Sequence, residues 1–375
     1  MTLDLRLSEE QRQIADSVEE LLANASDSAR MRRAAFEGGG FDGSLWQQVG
    51  ELGACGVHLP EAHGGLGLGI TELVLVAEAF GRRLACVPWF ESVVLAGTTI
   101  RAIRDESVAA QWLPVIASGE QVVTVDLGLL EAAPLTVRRE ASGWRLDGVL
   151  PAVPAAMAAQ HLLLPAQGAD GRLLLAIALD ASGISRRARA NHDATRPVAE
   201  VTLRGVLVPE SDCLARGEEA GRALESGRRI AAVVLASELV GVSQQCLDLT
   251  VAYLGQRVQF GKVLATFQAL KHRCAHMMVA VELARSAVLG AARQLDGQPG
   301  DERTLRVVAM ARCLADEAAQ SCTQEAIQLH GGVGFTWEYD PHLYFKRAQA
   351  SRSWLGTPTA WREELAAALL DEVAP

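Results

Sequence analysis

Gln328-Leu-His-Gly-Gly-Val-Gly-Phe-Thr-Trp-Glu338 is the stretch whose reading decides the fold. A long helical pattern over 301–329 runs into it and stops at Gly331-Gly332. Two adjacent glycines after a helix let the backbone take positive φ and leave its amides uncovered. A plain helix stop needs no more than that. With no side chain in the way, a large anionic cofactor can also approach the main chain closely, and the flanking sequence bears on which use applies.

Upstream lie Arg257-Val-Gln-Phe-Gly261 and Phe267-Gln-Ala-Leu-Lys-His272. In this order and spacing the three blocks resemble the C-terminal helical domain of the acyl-CoA dehydrogenase family, and the resemblance covers essentially the whole chain. It implies an α+β protein: an N-terminal helical domain over 1–118, a small central β-barrel or sandwich over 119–212, and a C-terminal four-helix bundle over 213–375. It also implies FAD, an acyl-CoA substrate oxidised between its α and β carbons, and electron-transfer flavoprotein as the electron acceptor.

The local patterns give the same three parts. Ser8 and Gln11 form a capping box, and Ile14, Val18, Leu21 and Leu22 follow as one apolar face. Further helices are expected at 45–52, 70–82, 90–104 and 106–118. The run Leu59-Pro-Glu-Ala-His-Gly-Gly-Leu-Gly-Leu-Gly69 lacks the strand-helix context of a dinucleotide loop and reads as structural, like a similar loop in the family. From 119 to 212 short aliphatic segments alternate with Gly143, Asp147-Gly148, Asp170-Gly171 and Ser182-Gly183, which reads as strands and turns. Strands are expected at 122–125, 135–138, 144–146, 161–165, 173–179 and 198–203. Beyond 211 three long helical patterns, 223–256, 266–295 and 301–329, and a shorter one at 361–371 fit an up-down bundle. Helices of roughly 30 residues span roughly 45 Å. Their broad apolar faces predict packing against other subunits, in a dimer or tetramer.

Hydrophobic content of 49% with 21% charge is that of a globular chain, and 375 residues suffice for about two or three domains. A net charge of −10 speaks against nucleic acid. The start is polar, without a signal peptide pattern. Apolar runs such as 230–236 are too short to span a bilayer, so no membrane span is expected. The seven cysteines (55, 86, 213, 246, 274, 313, 322) show no C-x-x-C pair, which fits reduced thiols and a cytoplasmic protein. His272 and His276 have a metal-compatible spacing, but no third ligand type clusters with them, so no metal is expected.

The resemblance assigns cofactor contacts residue by residue. Arg257 matches an arginine that reaches a neighbouring subunit's flavin diphosphate, a task suited to a bidentate guanidinium. Gln259 and Phe260 belong to the same block. Gln268, Gln328, Gly331 and Gly332 match contacts to the adenosine half, and Thr357 matches a threonine near the flavin. On its own, Arg257 would read as a solvated helix end.

Departures accompany these matches. Trp144-Arg-Leu-Asp-Gly148 resembles the family's W-x-L-N-G strand, but Thr124-Val-Asp-Leu-Gly128 stands where the family has T-E-P-x-A-G-S-D. Ala152 and Pro154 stand where the family places a Trp and a hydroxyl residue against the flavin ring. Neither supplies a side-chain donor, and Pro lacks the backbone one. Lys346-Arg347 replaces the family's Arg-Asp, and Asp340, His342, Lys346 and Arg347 are expected to form local ion pairs. The family's base is a Glu in a (Y/W)-E-G-T turn; the turn here is Trp354-Leu-Gly-Thr357, with Leu355 at the base position. Other branches place the base at the position of Ala231. Glu225 and Glu238 lie off that register, and Glu238 is the remaining candidate. Losing a general base costs about 10²–10⁴-fold in rate.

Three readings therefore stand. The chain is the base-lacking subunit of a heteromeric α2β2 acyl-CoA dehydrogenase, with a paralogous partner and a bulky substrate such as a steroid side chain. Or it is a homo-oligomeric flavoenzyme with altered chemistry. Or it is a flavin-free acyl-CoA-binding or scaffold protein.

Overall fold

The structure is a computed structural model and describes residues 5–128, 135–169, 171–298 and 302–370. In chain order the first helices are α1 (Glu9–Ala25), α2 (Ser28–Phe36), α3 (Gly43–Glu51) and α4 (Ile70–Arg83). A π-helical segment, Phe90–Gly97, continues into α5 (Thr98–Arg101), and α6 (Glu106–Ala117) follows. The strands are β1 (Val123–Val125), β2 (Thr136–Glu140), β3 (Gly143–Pro154), β4 (His161–Gly168), β5 (Gly171–Ala178), β6 (Ile184–Arg189), β7 (Val198–Pro209) and β8 (Cys213–Arg216). Then come α7 (Gly217–Gln256), a hairpin of β9 (Val258–Gln259) and β10 (Lys262–Val263), α8 (Gln268–Gly297), α9 (Glu302–His330), α10 (Pro341–Ser351) and α11 (Pro358–Leu370).

The chain divides into two compact units. The helical unit comprises residues 1–31, 70–85 and 232–375. Its axis is α7, which is buried on every side from Ala232 to Ser243. This is why the apolar residues there do not keep to one face: a helix that is apolar all round belongs inside. Helices α4 and α7 cross at two glycines. A Cβ on Gly81 would lie 2.0 Å from the Glu238 carbonyl oxygen, and one on Gly241 would lie 2.0 Å from that of Glu78. Ser237 Oγ donates to the Val74 carbonyl at 2.6 Å in the same contact. Polar ties hold the helices around this axis. Asp296, near the end of α8, accepts from the Ile70 and Thr71 amides at 2.5 and 3.0 Å and caps α4 from outside its own sequence. Arg285 Nη2 pairs with Glu78 at 2.7 Å, and the Tyr344 hydroxyl donates to the Arg82 carbonyl at 2.7 Å. The capping box at Ser8 and Gln11 is present as its residues require.

The second unit comprises residues 32–69 and 86–231. Its strands form two four-stranded sheets, β1-β4-β5-β8 and β2-β3-β7-β6. All pairs are antiparallel except β1 with β4. Trp144 is held between the guanidinium groups of Arg139 and Arg216, 4.4 and 4.8 Å from the ring centroid, and Glu210 pairs with both. Asp147 accepts from the Gly205 amide at 2.7 Å. The W-R-L-D-G strand is thus accounted for by packing. So is the glycine loop before α4: a Cβ on Gly65 would lie 2.1 Å from the Leu59 carbonyl oxygen, and the amides of Leu66 and Gly67 bond back to Gly56 and Leu59.

Several expectations need correction. Strands β3 and β7 are each 12 residues long, about four times and twice their expected lengths. α2, β6, β8, the β9–β10 hairpin and α10 were not foreseen. The helix expected over 90–104 has widened turns in its first half and ends at Arg101. The expectation that nothing is long enough to cross a bilayer fails on length and composition alone, since α7 and α8 both meet that test. The most apolar window of α7 is 83% buried within the protein, that of α8 only 33%. The end of the helix expected over 361–371 falls at Leu370, and residue 371 lies outside the described residues.

Candidate functional site

Three segments of the helical unit meet at one end of its long helices. Helix α7 stops at Gln256 and the chain turns through the β9–β10 hairpin, closed by a hydrogen bond from the Leu264 amide to the Arg257 carbonyl at 2.8 Å. The hairpin tip is Phe260-Gly261, with φ of +53° and +71°. A two-residue loop with both φ positive matches the twist of the paired strands, and glycine serves there without strain. A phenylalanine does not, and Phe260 is 88% exposed as well. Its ring meets Phe267 edge-on at 6.3 Å, just before Gln268 opens α8. Helix α9 runs back beside α8, joined by Arg273–Glu325 at 2.5 Å, and brings Gln328 to the same end.

An aromatic cluster fixes the junction. Tyr253, one turn before Arg257, stacks on His330 with centroids 4.4 Å apart, and Tyr339 meets both rings edge-on. Burial pushes His330 below the usual imidazole range, against the opposing effect of its bond to the Ala326 carbonyl. The ring serves as a stacking surface. Gly331 follows with φ +65°, and no atom lies within 4 Å of a Cβ built on Gly331 or Gly332. Gly334 differs, because its Cβ would meet the Ile327 carbonyl oxygen at 2.6 Å. Packing requires Gly334; Gly331 and Gly332 face open space.

Arg257, Gln259, Phe260, Gln268, Gln328, Gly331 and Gly332 are all exposed at this end. Among the described residues no side-chain partner holds Arg257, Gln259, Gln268 or Gln328. An unpaired guanidinium, amide side chains and uncovered backbone are the donors an anionic dinucleotide tail requires. The residues present therefore fit the diphosphate–adenosine half of FAD.

The turn at the expected base position is in the same unit. Leu355 has φ +62°, a conformation that strains a branched side chain, and Gly356 follows at +115°. Thr357 Oγ1 accepts from the Ala360 amide at 3.2 Å and caps α11. Glu238 is 3% exposed, with Arg347 Nη1 2.7 Å from its Oε1. Of the residues expected to form local ion pairs, Arg347 pairs with a carboxylate 109 residues upstream, and Lys346 Nζ lies 5.0 Å from the Trp337 ring centroid. Glu225, in the other unit, is bound by Arg228 and Arg229, both at 2.8 Å. Burial would raise its pKa, but the hydrogen bonds from these two arginines outweigh that and hold it below the usual range. Ala231 is fully buried.

In the β unit the hydroxyl of Thr124, fully buried, donates to the Pro154 carbonyl at 2.6 Å and so stitches one sheet to the other. Ala155 has φ +49°, and its amide bonds to the Pro197 carbonyl at 2.9 Å. Among the described residues, these two donors near the expected ring position are thus used internally and are not aimed at a flavin ring. Asp126 ends β1; burial raises its pKa, partly opposed by the Gly128 amide at 3.2 Å. The stretch in which the family's Ser-Asp would fall, 129–134, lies outside the described residues.

Sequence reasoning did not foresee the Tyr253–His330–Tyr339 cluster or the Glu238–Arg347 pair. The first had a signal in two aromatics flanking the glycine stretch. The second had none.

Helices before and after two small sheets in chain order, with donors gathered at a helix end, are the layout of a class of flavin-dependent oxidoreductases. Two sequence models of that class match the chain: the acyl-CoA dehydrogenase N-terminal domain over residues 8–120 and the C-terminal domain over 222–370. Acyl-CoA dehydrogenase IpdE2 of Mycolicibacterium smegmatis is 32% identical over 361 residues, 96% of this chain and 97% of that one. The protein of the same name from Mycobacterium tuberculosis is 32% identical over 356 residues, 93% and 94% of the two chains. Among solved structures, the ChsE4-ChsE5 complex from Mycobacterium tuberculosis superposes with a TM-score of 0.89 at 25% identity, covering all of both chains. A variant of the Tcur3481-Tcur3483 steroid acyl-CoA dehydrogenase does so with 0.86 at 28%, covering 98% and 99%. The chain belongs to the acyl-CoA dehydrogenase family, a family of oxidoreductases for which FAD is the implied cofactor.

Proposed function

We propose that the chain is the base-lacking subunit of a heteromeric, α2β2 acyl-CoA dehydrogenase acting on a bulky acyl-CoA such as one with a steroid side chain. A paralogous partner supplies the flavin-ring site and the base. Arg257, Gln259, Phe260, Gln268, Gln328, Gly331 and Gly332 hold the diphosphate–adenosine half of the FAD seated in that partner. Thr357, whose O–H is left free by the cap bond it accepts, stays in the set at the turn. When bound, FAD supplies the hydride acceptor. This chain's residues hold its anionic tail: Arg257 offers two parallel N–H groups to the diphosphate, and Gly331-Gly332 offer main chain with no side chain in the way. Glu238 acts as the counter-ion of Arg347, not as the base. Domain ranges of 1–118, 119–212 and 213–375, a cytoplasmic location and electron-transfer flavoprotein as acceptor belong to the same reading.

One observation carries it: seven expected tail contacts share one exposed end, while the hydroxyl and carboxylate groups that chemistry would need are tied up inside the chain. That the ChsE4-ChsE5 and Tcur3481-Tcur3483 structures are each of a named pair, and that the second is described as a steroid enzyme, supports the heteromer and the substrate class. The test is the visible absorption spectrum of the chain purified alone and after co-expression with a neighbouring paralogue. The expected result is a colourless, inactive chain alone and a yellow, active complex. Full flavin and activity in the chain alone would overturn the proposal.

A further inference from the structure

A crevice in the helical unit has buried polar atoms at its floor that the fold itself does not pair. It runs between α9 and the segment from the end of α10 into α11 and holds about 310 Å³. Asp316, Gln320 and Gln324 line one side of it, Arg352 and Arg362 the other. At roughly 30 Å³ for each liquid water, that is room for about ten, and it reaches the lower bound of small-molecule sites. Asp316 is 3% exposed, and among the described residues neither of its carboxyl oxygens accepts a hydrogen bond. Fully buried Arg312, one turn earlier on α9, has Nη2 3.3 Å from Asp316 Oδ1 but donates it to the Ser351 carbonyl at 2.8 Å. Arg312 Nε and Nη1 and the Ser351 hydroxyl are likewise buried without a hydrogen-bond partner among the described residues. A buried polar group left unpaired costs free energy, and native interiors pair the great majority, so five such atoms in one cluster point to a polar occupant.

The charges around the crevice say what kind. Arg362 pairs with Glu317 at 2.9 Å, and Arg273 with Glu325 at 2.5 Å. Asp316 stands against Arg312. Arg352 Nη1 donates to the amide oxygen of Gln320 at 3.2 Å, a neutral partner. Four guanidinium groups therefore meet three carboxylates, and the surplus positive charge falls on Arg352. The floor calls for hydrogen-bond donors and the wall for negative charge. An ammonium is the wrong donor, because Arg312, Arg352 and Arg362 all act on the Asp316 carboxyl and a further cation would meet all three. Hydroxyl groups donate to a carboxylate without adding charge.

We infer that this crevice binds a small hydroxylated anion, a hydroxycarboxylate or a sugar phosphate, whose hydroxyls donate to Asp316 and whose anionic group pairs with Arg352. The inference rests on α9, α10 and α11 and does not depend on the flavin reading, which uses none of these side chains.

Titration calorimetry of the full chain with gluconate and with ribose 5-phosphate tests it. Saturable binding of at least one of the two is expected, and the tighter one tells carboxylate from phosphate. Arg352→Ala is expected to weaken that binding roughly 10- to 100-fold. Asp316→Asn separates a hydroxyl site from a bare anion site. Removing a negative charge from the floor tightens the hold on an anion bound by charge alone, but weakens it, here by about tenfold, for a ligand whose hydroxyls need both carboxylate oxygens. Sulfate, which has the charge without the carbon-borne hydroxyls, and ribose, which has the hydroxyls without the charge, should each bind at least about tenfold more weakly. Circular dichroism confirms that each variant is folded. No binding of either probe in the millimolar range overturns the inference. So does tighter binding by Asp316→Asn, or sulfate held as tightly as the better probe. Binding that Arg257→Ala abolishes and Arg352→Ala leaves intact overturns it too, since the ligand would then sit at the bundle end.

Discussion

The bundle end and the Trp354–Thr357 turn lie in the same helical unit, and both carry residues that match the family. They differ in what those residues already do. At the turn, Thr357 has a cap to make, and Glu238, the remaining carboxylate candidate, has Arg347 to neutralise. At the bundle end, Arg257 and the three glutamines hold nothing among the described residues. A residue kept by the needs of the fold says little about a ligand. A guanidinium left in water at the end of a helix, beside a strained, exposed phenylalanine and two uncrowded glycines, has no such internal reason to be there.

This contrast can be broken most forcefully at Glu238. Replacing it with Ala removes one member of a buried ion pair with Arg347, and the expected loss is about 3–5 kcal/mol of stability, read as a large drop in thermal midpoint. If Glu238→Ala instead abolished activity of the co-expressed complex with stability intact, the base would be in this chain after all. Arg257→Ala is the converse. Loss of charge-assisted hydrogen bonds worth about 1.5–3 kcal/mol predicts roughly 10- to 100-fold weaker flavin retention in the complex. The thermal midpoint of the chain alone should not move. Thr357→Ala should cost about 1 kcal/mol of stability through loss of the cap; a fall in flavin content as large as that of Arg257→Ala would move the turn into the same class as the bundle end. Leu355→Glu is expected to leave the isolated chain inactive, since it restores a carboxylate without a ring site. Dehydrogenation by that variant alone, measured with an artificial electron acceptor, would erase the contrast.

A pH comparison extends the same reasoning to Asp316, whose carboxyl burial pushes up to about 6 despite Arg312 beside it at 3.3 Å. A raised carboxyl binds its proton more tightly in the folded state than in the unfolded one. Its contribution to stability is therefore complete below pH 4 and is lost as pH rises towards 6. Relative to the parent, Asp316→Asn should gain thermal stability over that window and keep a constant offset above it, whatever fixed cost Arg312 imposes.

The helices were legible because their signals are local. Ser8 and Gln11 announce α1, and α8 and α9 show long uninterrupted patterns. Strand β6, Ile-Ser-Arg-Arg-Ala-Arg, escaped notice because it is an edge strand with Arg187 and Arg189 exposed, so no apolar alternation marks it. Helix α10 should have been visible, for Pro341 stands at its first position, where proline is favoured. At the site, residue identities were legible and their commitments were not. That Arg347 serves Glu238, or that the Thr124 hydroxyl serves Pro154, depends on folding together segments far apart in the chain.

The crossing of α4 and α7 at Gly81 and Gly241 has one more consequence. Two backbones in such close contact behave like a keyed shaft, because only one rotation of α7 about its own length presents glycine to α4. An extra residue inserted between Ser237 and Gly241 would turn everything beyond it by about 100°. Val240 or the inserted residue would then meet main chain where glycine now does, and such an insertion, harmless in a surface loop, should prevent this unit from assembling at all.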